Sequence, residues 1–385
     1  MTRLASFNSR NPRASWASVR RRIPNLAVAT AGMLAIACSD APTATPRTVE
    51  RAPTPASYVG PHATYMAIQL PVLPTGTNAE ALGIGDGGHV VGVGDWSCGA
   101  LRPVPYAAFS YHNGILTNVH ALGPSPCFSA SEALDANATG MVVGWYQVSG
   151  LDFSAFYYEP STGFHIITEV PRDGYAFGVN DGGQVVGYYD TVVGGLHAFL
   201  WSAAQGFQDV HPSPAYTESR AYDINDNGQI VGVVDGRVAR WTAGGPVHFG
   251  PREGVDYNPV SGRGLLPPLG IANGGALAGG VHTASGDSAW TFAGGTGTGV
   301  PFRHGVATDR SSRGRVVGWG EATAPPTYLV AKTEFGGAVA ALPGGVPFKP
   351  SFAAAVNTCG DIAGWLTTAA SKHRAVLWKI STCDP

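Results

Sequence analysis

The chain has 385 residues, 44% of them apolar and 13% charged, with 53 Gly, 29 Pro, 15 Phe, 14 Tyr and 9 Trp; so much aromatic material without a Gly-X-Y period excludes a collagenous or disordered polymer. The net charge of −2 hides an asymmetry, because residues 1–37 carry six Arg and no acid, leaving 18 basic against 26 acidic residues, a net −8, in the remainder. With four Lys in all, that acidic remainder is a poor counterion-releasing surface, and a nucleic-acid partner is set aside.

Arg20, Arg21 and Arg22 precede a twelve-residue apolar run, Leu26 to Ala37, that ends Ala35-Ile36-Ala37-Cys38. A basic stretch, a short apolar stretch and small residues at a cleavage point describe a secretory signal over residues 1–37. At ~1.5 Å per residue the run is too short to cross a ~30 Å hydrocarbon layer as a helix. Leu34 to Cys38 also resembles a bacterial lipobox, with Ala35 where Leu is commonest, and implies acylation of Cys38. The same residues satisfy ordinary signal peptidase. Cysteine parity favours acylation: five Cys are present, and lipidation of Cys38 leaves an even set in an oxidising compartment. Residues 38–61, rich in Pro, Thr and Ala, read as an extended tether. The expectation is an exported outer-envelope lipoprotein that touches the membrane only through its lipid, with a freely secreted protein as the alternative.

From residue 62 onward the chain repeats. Asn180-Asp181-Gly182-Gly183-Gln184-Val185-Val186-Gly187 recurs as Asn225 to Gly232, and with the last Gly as anchor weaker copies end at Gly92, Gly144, Gly279, Gly318 and Gly364. Anchor spacings of 52, 43, 45, 47, 39 and 46 average near 45. Four residues before every anchor lies Gly (Gly88, Gly140, Gly183, Gly228, Gly275, Gly314, Gly360), which predicts a hairpin turn needing positive φ. Eleven residues before it lies Ala81, Ala133, Ala176, Ala221, Ala307 or Ala353, with Pro268 as the exception, predicting a crowded inner strand. A third strand follows each anchor and a fourth follows in most copies, as at Gly114–Val119 and Gly206–Val210. Four strands in ~45 residues form a propeller blade. The last copy runs out after Trp378, whereas Thr64–Val72 is strand-like ahead of the first Ala. The prediction is therefore an all-β, seven-bladed propeller over residues 62–385, closed by pairing of Thr64–Val72 with Ala375–Trp378. The remaining cysteines are expected to pair as Cys98–Cys127 and Cys359–Cys383.

These residues resemble the HAF family of extracellular repeats, which takes its name from the tripeptide seen here as His197-Ala198-Phe199. The resemblance implies an exported repeat protein and no established activity, substrate or catalytic residue.

Motifs of chemistry are sparse. Gly83, Gly85 and Gly88 spell a dinucleotide fingerprint, but no helix pattern follows. Asp223 to Gly228 matches half a calcium loop, yet Val234 stands where the bidentate Glu is needed. Trp145, Tyr188, Trp319 and Trp365 follow the anchors as a sugar platform would, and more simply as inter-blade core. No zinc spacing and no hydrolase motif is found, and no cofactor is implied. If the Ala strand is innermost, Glu80, Glu132, Asp173, Tyr175, Glu218, Arg220 and His304 gather at one mouth of the channel, where a ligand site would be built or where a solvated rim would lie. Two functions remain. The first is a monomeric, non-catalytic binding or scaffold module for an unidentified envelope or extracellular ligand. The second is an extracellular hydrolase or lyase acting on a polymer such as a polysaccharide from the same mouth.

Overall fold

The computed structural model describes residues 58–59 and 64–383, apart from 100–101, 151, 172, 192–193, 243–244, 249–268, 284–285, 294–295, 323–327 and 348. The signal, Cys38 and the tether lie outside the described residues. So does Pro268, the exception in the Ala series.

Seven four-stranded antiparallel sheets form a ring, an all-β seven-bladed propeller. The Ala strand is innermost in each blade: Ala79–Ile84, Ser131–Ala136, Tyr175–Val179, Ser219–Ile224, Leu269–Ile271, Val306–Arg310 and Ser351–Val356. Each inner strand neighbours the next, and the seventh returns to the first. Among the described residues the helical pieces are two single 3₁₀ turns, His120–Leu122 and Pro126–Phe128.

The repeat consensus has a geometric cause. Each of the six Ala residues pairs directly with its anchor Gly, from Ala81↔Gly92 to Ala353↔Gly364, and the register then slips by one. The slip is a β-bulge, which lowers the carbonyl before the Ala onto the anchor. A Cβ on Gly187 would lie 1.8 Å from the Tyr175 carbonyl oxygen, and one on Gly232 would lie 1.9 Å from that of Arg220. Only glycine fits there. The turn Gly is needed for a different reason: all seven have φ between 71° and 102°.

Both faces of a blade are covered by its neighbours, so the core is a series of inter-blade seams. Trp378, Tyr146, Phe109, Phe156 and Phe199 are fully buried there, each stabilising the fold by roughly 1.5–3 kcal/mol relative to exposure. The ring closes as expected. Thr64–Gln69 pairs with His373–Ile380 in the register Tyr65↔Ile380 to Gln69↔Val376, giving the seventh blade its fourth strand. Tyr58–Val59 adds a short fifth strand at that edge. Both expected disulfides are present, Cys98–Cys127 and Cys359–Cys383. The first ties the loop after the second strand of blade 1 to the linker entering blade 2, and the second ties the first hairpin turn of blade 7 to Cys383, just past its closing strand His373–Ile380. Two disulfides fit an oxidising, exported environment. No helix among the described residues is long and apolar enough to cross a membrane.

Candidate functional site

The inner strands run the same way, so the axis has two unlike ends. At the end where they begin, Glu80, Glu132, Tyr175 and Arg220 take one equivalent place in blades 1 to 4, each just before its Ala. All four are at most 9% exposed. Three of them can be placed against the preceding blade. Glu80 Oε1 lies 2.7 Å from His373 Nδ1. Tyr175 packs on Phe153 and Trp145 at centroid distances of 5.7 and 6.3 Å. The Arg220 guanidinium sits 5.9 Å from the Tyr188 ring. Arg220 Nη2 also donates to Glu218 Oε2 at 3.0 Å.

Asp173 and His304 lie on the approaches to the third and sixth inner strands, with φ of 52° and 40°. Asp173 Oδ1 accepts the Phe153 N–H at 3.1 Å, and His304 Nδ1 lies 3.0 Å from Glu321 Oε2. The seven residues thus belong to one end of the ring. Glu80, Tyr175 and Arg220 are seated in seams, Glu132 is buried, and His304 is exposed.

The aromatics after the anchors are also seam residues. Trp145, Tyr188, Trp319 and Trp365 are 5–7% exposed, and Phe352 bridges Trp319 and Trp365 at 5.8 and 4.3 Å. They present no open stacking face.

Two Ser–His pairs were not visible in the sequence. Ser131 Oγ accepts the Ala108 N–H of the preceding blade and meets His120 Nδ1 at 2.7 Å, and His120 Nε2 meets the Pro126 carbonyl. Ser219 repeats this with Ala198, His211 and the Tyr216 carbonyl. Because a carbonyl can only accept, each Nε2 carries the proton and each Nδ1 accepts from its serine hydroxyl. Both serines are fully buried, so these dyads fasten seams and are closed to a substrate.

At the other end lie the turns. Asn180 Oδ1 accepts the Gln184 N–H and closes its own hairpin, while Nδ2 donates to the Asn225 carbonyl of the next blade at 3.0 Å. Asn137 and Asn225 do the same toward Asn180 and Ala272. The next residue adds a second link: the N–H of Ala138 reaches Asp181, that of Asp181 reaches Asp226, and that of Asp226 reaches Asn273. Thr358 closes this belt onto Asp86, 272 residues away. The Asn-Asp consensus is therefore a circumferential belt. Asp226 commits its oxygens to Asp181 N–H and Asn273 Nδ2, which accounts for the half calcium loop as a structural turn.

Inside the belt lies an axial cavity of about 120 Å³ lined by all seven blades. The residue two beyond the Ala position faces this region and alternates around the ring: Gly83, Asp135, Gly178, Asp223, Gly270, Asp309, then Ala355. The alternation is steric. A Cβ on Gly270 would fall 2.2 Å from Asp309 Oδ1, and one on Gly178 would fall 2.9 Å from Asp223 Cα. Each Asp also bonds forward. Oδ1 accepts the N–H of the following residue, and Oδ2 accepts one from the next blade: Asp135 from Val179 at 3.0 Å, Asp223 from Ile271 at 2.7 Å, Asp309 from Val356 at 2.9 Å.

These carboxylates keep some surface toward the cavity but are enclosed by the ring. Enclosure, then the facing Asp309, pushes Asp223 up to about 7. Enclosure, with Asp86 adding to it, raises Asp309 to about 6. Enclosure and Asp223 hold Asp135 well above the carboxylate range. The backbone donors pull the other way and lose. Among the described residues no group of three or more His, Cys, Asp or Glu is arranged to hold a metal ion. The alternation at this position was a signal the sequence did carry.

No family model matches the chain, and no curated protein matches it. Among solved structures, a puromycin hydrolase aligns at 14% identity and TM-score 0.47, over 78% of this chain and 51% of that one. TolB from Acinetobacter baumannii aligns at 10% and 0.37, over 78% and 66%. A mutant of the Aleuria aurantia lectin in complex with alpha-methyl-L-fucoside aligns at 10% and 0.33, over 82% and 96%. This chain thus spans about half to two-thirds of the hydrolase and TolB chains. At such identities and TM-scores, what those proteins bind or cleave stays with them.

Proposed function

We propose that this chain is an exported, envelope-displayed propeller of the HAF-repeat kind that works as a binding or scaffold module and performs no chemistry of its own. One observation carries the reading: the buried Ser–His pairs and the axial carboxylates, which could otherwise do nucleophilic or acid–base work, are engaged in seams. The two buried serines are locked to histidines and backbone N–H groups, and the axial carboxylates are each held by two backbone donors. Export is supported by the paired cysteines. Those pairs use four of the five Cys and leave Cys38 for a lipid anchor.

The ligand, on this reading, meets the end where the inner strands begin, around Arg220, Glu218, Glu132, Glu80, Tyr175, Asp173 and His304. The Arg220 guanidinium there suits a polar or anionic ligand group. The test is a glycan and metabolite binding screen on the exported protein, repeated with Glu218→Gln and His304→Ala. Saturable binding weakened by either substitution, without product formation, supports the reading. Release of new polysaccharide ends would establish the polymer-acting alternative instead. Labelling with a fatty-acid analogue in cells, lost in Cys38→Ser, tests the anchor.

A further inference from the structure

We propose that Asp135, Asp223 and Asp309 make the turn end of the ring an acid-tightened closure: protonated, they hold the seams between blades 2 and 3, 4 and 5, and 6 and 7 shut, and ionised together they loosen them.

The geometry leaves these side chains nowhere to go. A bulge fixes each backbone, a glycine on the preceding inner strand makes room for the side chain, and both oxygens are pinned, one by the residue's own strand and one by the next blade. An exposed carboxylate escapes a like charge by turning into water. These cannot turn without giving up the inter-blade bond. The cavity they share, about 120 Å³, admits only a handful of waters, so hydration screens them poorly. Their other neighbours do not compensate. Asp86, Asp181 and Asp226 on the surrounding turns carry the same sign, and among the described lining residues Arg310 alone is basic. Arg310 is itself partly desolvated and has Glu334 as a charge partner. A proton on the group relieves repulsion that no side-chain movement can.

The direction of the effect follows by linkage. The unfolded chain releases these protons near the ordinary value of 3.8, whereas the folded ring keeps that of Asp309 until about 6 and that of Asp223 until about 7, and holds that of Asp135 well above the ordinary value. The stabilisation is therefore complete below about pH 4 and is lost as pH rises toward 7. Two histidines oppose this trend. Burial lowers His89, beside His112, and also His120, so their contribution grows as pH rises through 6.5. The raw stability curve mixes the two, and only a difference isolates the carboxylates.

The experiment melts the full disulfide-intact chain from pH 5 to 8.5 as wild type and as the triple variant Asp135→Asn, Asp223→Asn, Asp309→Asn. Asn retains one acceptor but cannot ionise. The variant is expected to lie below wild type at pH 5 and to close that gap by several degrees toward pH 8. A gap that stays constant or widens with pH overturns the proposal. A second readout needs no variant: the infrared carbonyl band of a protonated carboxyl should persist in wild type at pH 6 and weaken by pH 8.5 as Asp223 and Asp309 ionise. Its absence at pH 6 overturns the proposal equally, whether or not the variant folds.

Discussion

Ala67 and Trp378 lie directly opposite one another across the last strand pair of the ring. Trp378 is fully buried, and its Nε1 donates to the Pro343 carbonyl at 2.7 Å. The two ends of the propeller are thus held by one ladder, one indole and the packing beneath them. Deleting residues 1–75 should abolish the cooperative transition, because the seventh blade loses its fourth strand and the core under Tyr65 opens. A calorimetric scan that matched the intact chain would refute closure by this strand.

The anchor glycines should tolerate nothing larger. Gly187→Ala forces a Cβ toward the Tyr175 carbonyl, against backbone rather than a flexible side-chain tip. It should cost about 3 kcal/mol or more, at the severe end of overpacking effects. Gly299→Ala meets nothing within 4 Å and serves as the control, expected within about 0.5 kcal/mol of wild type in urea titrations.

Arg220 carries a structural cost that an open rim residue would not. It is 7% exposed, while its partner Glu218 is partly solvated. Arg220→Ala should therefore destabilise by about 1–3 kcal/mol, less than for a fully buried pair because solvent screens the glutamate. Glu218→Gln should cost well under that, which makes it the cleaner probe of ligand binding. Equal destabilisation by both would show that the pair is more enclosed than its exposure indicates.

His120 should remain neutral when exposed histidines have charged. Burial lowers it, and its Nδ1 must stay free of a proton to accept from Ser131. Its stabilisation is complete above pH 6.5 and declines as pH falls below that toward the folded value. His120→Ala strands a buried hydroxyl and should cost about 2–3 kcal/mol at pH 7, with a smaller penalty at pH 5. NMR titration showing His120 protonated at pH 6.5 would contradict this assignment.

Removing Cys359–Cys383 by paired Ser substitution should cost about 3 kcal/mol by the chain-entropy relation for a loop of this size. The loss should appear first as fraying of the seventh blade, read as hydrogen exchange at Thr358 and Ile380. Uniform exchange across all blades would argue against local fastening.

Much of this architecture could be read from the chain because its constraints act through residues that admit no substitute. The turn Gly recurs for its positive φ, and the anchor Gly and the buried Ala opposite it recur because the strands approach too closely there for more; sameness between copies is what a repeat search detects. The strand that closes the ring was legible from a deficit at the other terminus. The axial carboxylates were not, because their rule is a difference between neighbouring copies: Gly178 is small so that Asp223 can be large. The Ser–His fasteners were hidden for another reason. His120 and His211 stand 11 and 8 residues before their serines in linkers of unequal length, so no fixed spacing exposes them. Glu80, Glu132, Tyr175 and Arg220 share one place before the Ala, yet a single sequence does not distinguish a side chain tucked into a seam from one standing on a rim.

An alternation of two kinds of blade cannot be completed in an odd ring. Three Gly–Asp couples account for blades 1 to 6, and the seventh, with Ala355, is left over. The mismatch falls between Ala355 and Gly83, at the junction where the chain begins and ends, and there the belt closes through Thr358 and Asp86 beside the Cys359–Cys383 bridge. Parity thus gives the ring one seam unlike the others, a marked starting point that seven identical units would lack. Inserting a Gly–Asp couple would preserve every seam and leave the odd junction where it is, whereas a single Asp-bearing blade could be taken in only at that junction, between Ala355 and Gly83.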